Sequence, residues 1–136
     1  MAWPSRAVAA LMLVLMLTSC QQDEQPAEGL VARPPADAQP AQVVQAFIDA
    51  VNAEDADLVL ALATEEFGEV VIADFGTHYT YAEIRETAAL DDDHAVVGLS
   101  FIPEGSDWMT NGERLGWGVN LVNVSGEWLV ESIGQG

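Results

Sequence analysis

His78 stands four residues after Asp74 and beside Tyr79 and Tyr81, and these side chains are the ones best suited to moving protons. An imidazole titrates near neutrality, and a carboxylate or phenol can take up or supply the proton that it exchanges. Asp74 and His78 lie on either side of Gly76, a turn residue, so their side chains need not converge. A solvated histidine on a surface loop is the simpler reading. The second polar cluster is Asp91-Asp92-Asp93-His94. Its carboxylate oxygens suit a hard cation, with Asp91, Asp93 and His94 as candidate ligands. It lacks the glycine and the spaced ligands of a calcium loop, and nothing pairs His94 with His78. Aspartate is a good turn former, so a turn outweighs a metal here. Trp117, Trp128 and Tyr79 are candidates for lining a ligand pocket, because aromatic rings offer large contact areas with few rotors. Indoles of a small sheet domain more often fill its core, and Trp108, in the Pro-Glu-Gly-Ser-Asp loop, is expected to be exposed. No Gly-x-Ser-x-Gly elbow accompanies Ser100, Ser106 or Ser125. Gly112, Gly116 and Gly118 lie in or beside a strand rather than before a helix, so no phosphate loop is formed and no cofactor is implied.

The elements that must position these residues are helices first and strands afterwards. Pro40 suits a first helical turn, and Val43, Val44, Phe47, Ile48 and Val51 recur at helical spacing to Asn52. Asp55 can cap a second helix whose stripe is Leu58, Val59 and Leu62. Val70 to Phe75 is short, β-branched and bounded by Gly68 and Gly76, which predicts a strand. Residues 79–90 satisfy both a capping box at Thr80 to Glu83 and a period of two through Ala82, Ile84 and Ala88; strand is favoured. Val97, Leu99 and Phe101 alternate on one face of the next strand, and Leu115, Trp117, Val119 and Leu121 on another. Ser125-Gly126 forms a two-residue turn into a final strand ending near Ile133. This is an α+β order.

The 136 residues carry 22 acidic and four basic side chains, with a net charge of −18 and no lysine. Nucleic acid is a poor partner for such a chain, since binding a polyanion exchanges its counterions for Lys or Arg. A polybasic contact with anionic lipid is excluded for the same reason. Self-repulsion favours solubility and monomers and suggests a salty medium. One cysteine allows no internal disulfide.

Arg6 precedes an apolar run from Ala7 to Leu17, then Thr18-Ser19-Cys20. This is the layout of a cleaved signal, too short for a membrane span and followed at once by Gln21, Gln22, Asp23 and Glu24. Leu17-Thr18-Ser19-Cys20 resembles the lipobox of bacterial lipoproteins, which implies cleavage before Cys20, lipidation of its sulfur and further acylation such as palmitate. Several acyl chains give the stable anchoring that one does not. Gln21 in place of Asp resembles the sorting pattern for the Gram-negative outer membrane, with the domain facing the periplasm or the cell surface. Residues 20–38 read as a tether of proline and charge, up to about 60 Å if extended.

Residues 39–136 then form the domain. The helical opening Val43 to Asp57, with its Asn52-x-x-Asp55-x-Asp57 junction, and the closing Gly126-x-Trp128 hairpin resemble the nuclear-transport-factor-2-like superfamily, also called SnoaL-like. The resemblance covers about residues 40–134. It implies a helical hairpin packed on a curved, cone-like antiparallel sheet of four to five strands. Enzymes of that fold place a carboxylate and a histidine in the open end of the cone, next to a carbonyl substrate; here Asp74, His78 and Tyr81 are the candidates, although none matches a family motif. Residues 64–70 are short where many members carry a third helix, so a deep pocket is not expected. The functional expectation is a membrane-anchored, non-catalytic domain that binds a protein partner or a small apolar molecule. The alternatives are a small acid-base enzyme, of isomerase or dehydratase type, and a structural oligomer.

Overall fold

The computed structural model describes residues 31–134. The expected signal peptide, Cys20 and the tether up to residue 30 lie outside the described residues. The order of elements is α1 (Pro40–Asn52), α2 (Ala56–Leu62), α3 (Glu65–Ala73), β1 (His78–Ala89), β2 (His94–Glu104), β3 (Leu115–Val124) and β4 (Glu127–Gly134). The strands form one antiparallel sheet in the order β1-β2-β3-β4, an unbroken meander. The helices cover its inner face, and the layers share a core of Val44, Phe47, Ile48, Val59, Val97, Leu99, Phe101, Val119, Leu121 and Val130. No described helix is long and apolar enough to cross a membrane.

Helix α1 forms where the apolar spacing puts it. Pro40 occupies the first turn, and Val43, Val44, Phe47, Ile48 and Val51 are buried on one side. The Asp55 carboxylate accepts from the Leu58 N–H at 3.2 Å and caps α2, satisfying one of the donors that every helix start leaves free. Near the end of the expected tether, Val31 packs against the core and Ala38 is buried. Apolar contact on these two residues outweighs the disorder that their proline-rich surroundings suggest.

Residues 70–75 are not a strand. They belong largely to α3, a third helix where a two-helix layer was expected. Its β-branched run, Val70-Val71-Ile72, is tolerated because the propensity penalty is a few tenths of a kcal/mol per residue and packing overrides it. Phe67 and Val71 rest on the core, and Glu65 and Glu66 sit in the first turn, where the helix dipole favours negative charge. The Thr64 N–H donates to the Val130 carbonyl at 2.9 Å, tying the start of α3 to β4.

Segment 79–90 is strand, as favoured, and begins at His78. The expected faces of β2 and β3 are observed: Val97, Leu99, Phe101, Trp117, Val119 and Leu121 are all buried. Ser125 and Gly126 both have positive φ, 53° and 91°, the geometry that a two-residue hairpin turn matching the twist of the strands requires.

Candidate functional site

A cavity of about 230 Å³ opens between α3 and the inner face of the sheet. Phe67, Val70, Val71 and Asp74 line it from α3 and its end, Thr77 and Tyr79 from the start of β1, Trp117 from β3 and Ile133 from β4. Val51 of α1 also lines it, and Trp108 comes from the β2–β3 loop. The lining is largely apolar. Its aromatic lining residues are linked through the buried Phe101: Tyr79 tilts against Phe101 at 4.7 Å between ring centroids, Phe101 meets Trp117 edge to face at 5.3 Å, and Trp108 stacks on Trp117 at 5.4 Å. Such offset and edge-on arrangements are the favoured ones for aromatic pairs.

The β2–β3 loop is held so that Trp108 reaches this wall. Ser106 Oγ accepts from the N–H groups of Trp108 and Met109, at 3.1 and 2.9 Å, and Asn111 bonds the Ser106 backbone at both ends. Gly105, with φ at +78°, sits against the Gly76 carbonyl; a Cβ there would lie 2.5 Å from that oxygen. Trp108 Nε1 then donates to Asp74 Oδ2 at 3.2 Å, which closes one side of the mouth. The indole remains 59% exposed, so the exposure expected from sequence is correct although the ring is not free.

Tyr79 is placed by Asn52. The Asn52 side chain accepts from the Tyr79 N–H at 2.7 Å and donates to the Tyr79 carbonyl at 3.0 Å, standing in for the missing neighbour strand at the edge of β1. Both polar groups of Tyr79 therefore point away from β2, and the residue across from it is Pro103, which has no N–H to give. The phenol projects into the cavity, and its pKa is pushed up to about 12, by burial first and the negative charge of Asp74 second. Its hydroxyl has no hydrogen-bond partner among the described residues. The Trp117 Nε1 is a buried donor likewise without one.

Of the residues expected to do chemistry, Asp74 and Tyr79 come together here and His78 does not. Thr77 and Tyr79 face inwards, so the alternation of an extended chain turns His78 outwards, where Nε2 is 3.9 Å from Glu54 Oε2. Tyr81 is also outside the cavity. A bulge between Thr80 and Glu83, with Tyr81 at φ 50°, throws its ring into solvent and lets Ala82 and Ile84 turn inwards in its place. Arg114 fastens the bulge by donating to the Tyr81 carbonyl, Ser100 Oγ and Glu83. Trp117 lines the cavity, whereas Trp128 lies at a shallow groove on the other end of β4, beside Arg33, Pro34, Pro35 and Leu62. The β3–β4 hairpin carries it away from the cone's mouth.

The Asp91 to His94 cluster is a turn. Asp91 Oδ1 accepts from the Asp93 N–H at 2.7 Å, and the Asp91 carboxylate also lies 3.0 Å from His94 Nδ1. The Asp93 backbone N–H and the imidazole hold the Asp91 carboxyl below its usual range, and Asp91 in turn raises His94. Among the described residues no three His, Cys, Asp or Glu side chains converge on a metal-sized site. Sequence reasoning missed Phe67, Val70 and Val71 as lining residues. They carry a signal, since 67, 70 and 71 are spaced as one helix face.

No family model and no curated protein matches this chain. Solved structures do. A SEC-C motif containing protein from Rhodopseudomonas palustris aligns with a TM-score of 0.58 and 11% identity, over 75% of this chain and 82% of that one. A Campylobacter jejuni protein described as an NTF2-like transpeptidase aligns with a TM-score of 0.50 and 14% identity, over 70% of this chain and 99% of that one. At these identities the likeness concerns the fold alone. Three helices on a four-stranded curved antiparallel sheet, with a cavity at the open end, give this chain the nuclear-transport-factor-2-like α+β fold.

Proposed function

We propose that this protein is an envelope lipoprotein whose domain binds a small, largely apolar molecule in the cavity between α3 and the sheet. The observation that carries the reading is the cavity itself: an apolar, aromatic-walled space of about 230 Å³ into which the Tyr79 phenol projects with no partner among the described residues. Apolar walls with a few placed polar groups are the usual composition of small-molecule sites. The third helix supports the reading, because α3 supplies three of the lining residues and Asp74, at its end, a fourth. The acid-base alternative keeps Asp74 and Tyr79 and loses His78. A phenol that stays protonated to about pH 12 donates a hydrogen bond at neutral pH and does not serve as a base.

Leu17-Thr18-Ser19-Cys20 supports removal of residues 1–19 and lipidation of Cys20, and Gln21 supports display on the outer membrane. Cys20→Ala is expected to move the protein out of the membrane fraction, and the amino-terminal peptide of the native protein is expected to carry the mass of its acyl chains. An unmodified cysteine peptide would reject the anchor.

Binding is tested by native mass spectrometry of residues 20–136 with Cys20→Ser, gently purified and compared with its denatured mass. A retained adduct that disappears in Val71→Trp, where a larger ring fills the cavity, supports the reading. An adduct that persists in that variant places the ligand elsewhere. A chain that stays bare, both alone and after incubation with small aromatic compounds, rejects the reading.

A further inference from the structure

The charge around the cavity has one sign. Asp74 is the one acidic or basic side chain among the described residues of its lining, beside the hydroxyls of Thr77 and Tyr79. The adjoining depression shares Phe67 and Val70 with the cavity and adds Glu66 and Glu131. None of the described arginines lines either space: Arg33 lies by Trp128, and Arg85 and Arg114 pair with Glu83 on the outer face of the sheet. A ligand carboxylate entering here would meet Asp74, Glu66 and Glu131 with no cation to offset them. An ammonium would meet the opposite. Asp74 spends one oxygen, Oδ2, on the Trp108 N–H and keeps Oδ1 for a further partner. Beside it stands the aromatic wall of Trp108, Trp117 and Tyr79, whose ring faces attract a positive charge. The space is smaller than the roughly 300–1,000 Å³ of sites for drug-sized molecules, which limits the occupant to about one ring and a short chain.

We propose that the cavity selects small organic cations, with an ammonium head at Asp74 beside the Trp108 indole and an apolar body among Phe67, Val71 and Trp117. The proposal rests on the reading of the cavity as a binding site and names the class of ligand it takes. Carboxylates such as fatty acids are rejected by the same rim that attracts the amine.

Three probes of nearly equal shape separate the two claims: phenethylammonium, neutral 2-phenylethanol and anionic 3-phenylpropanoate. Each is titrated at pH 7 and low salt into residues 20–136 carrying Cys20→Ser, with binding read by tryptophan fluorescence and calorimetry. The cation is expected to bind about fivefold to tenfold more tightly than the alcohol, the combined scale of an exposed charge pair and a cation–π contact, and the anion more weakly than either. Asp74→Asn is expected to bring the cation-to-alcohol ratio to within about twofold while the alcohol's affinity stays as it was. Glu86→Gln, which removes a charge from the exposed end of β1, is expected to leave the ratio intact. A saturable alcohol with no preference for the cation overturns the charge selection and leaves the binding site standing. A preference that survives Asp74→Asn also overturns it, because the net charge of the whole chain then accounts for the effect. No saturable response to any of the three overturns the binding site as well.

Discussion

Asn52 is the residue whose loss the fold should register most plainly outside the apolar core. Asn52→Ala removes two hydrogen bonds, at 2.7 and 3.0 Å, and leaves the Tyr79 N–H and carbonyl half-buried beneath α1 without partners. Each bond is worth about 1 kcal/mol net, and each group left unsatisfied adds up to about another, for a total of about 2–4 kcal/mol. For a domain of roughly 100 residues that corresponds to a fall in Tm of roughly 10–25 °C. Urea and thermal unfolding followed by circular dichroism measure it. Asn52→Asp supplies the check that separates a specific clamp from general damage. A carboxylate keeps the acceptor for the Tyr79 N–H but sets an oxygen against the Tyr79 carbonyl, so the charged form is disfavoured in the folded state and its pKa is raised there. A raised folded pKa means stability that is present at low pH and lost as pH rises through the carboxylate range. The stability difference between Asn52→Asp and the parent should therefore narrow as pH falls. An Asn52→Ala cost below about 0.5 kcal/mol, together with a pH-independent difference for Asn52→Asp, would refute the clamp.

In Tyr81→Phe, where Tyr79 is the remaining tyrosine, the phenolate absorbance is expected to appear near pH 12. Because the folded pKa is raised, Tyr79 weakens the fold only as pH climbs above about 10, and a midpoint near 10 would mean that the ring lies in water. Asp91→Asn is expected to lower the His94 pKa seen by NMR, since the Asp91 carboxylate is what raises it; the pair's small contribution holds between the two titrations, lost below as Asp91 is protonated and above as His94 loses its proton. Gly105→Ala is expected to cost about 1–3 kcal/mol in urea unfolding and to change Trp108 fluorescence, because the new methyl group has both a positive φ and the Gly76 carbonyl against it. An unchanged spectrum would mean that the loop does not depend on that contact.

Periodicity revealed most of the frame because each correctly read element buries one face. Val97, Leu99 and Phe101 had to share a side, and a one-residue slip would have exposed all three. Helix α3 was hidden for the opposite reason. Its exposed face holds Val70, which is 60% exposed, so apolar residues run around it and blur the stripe of Phe67 and Val71. Thr64 followed by Glu65 and Glu66 was a helix start in plain view, and the β-branched run drew attention from it. The site was half legible. Asp74, Tyr79 and Trp117 follow from residue type, but His78 and Tyr81 were lost to strand alternation and to a bulge that no local composition announces.

The unbroken meander also sets an order in time. Every strand pairs with the next one along the chain, so the sheet can zip through three hairpins, each closing a short loop, with the Ser125-Gly126 turn the tightest of them. The helical layer joins by contacts that reach further along the chain, from Asn52 to Tyr79 and from Thr64 to Val130. Closing longer loops costs more entropy, which places docking of the helices after formation of the sheet. Contacts made after the barrier govern how fast the structure opens more than how fast it forms. The cavity exists only where α3 meets the sheet, so its residence time is the residence time of that helix, and an occupant that bridges the two would slow unfolding while leaving the folding rate nearly unchanged.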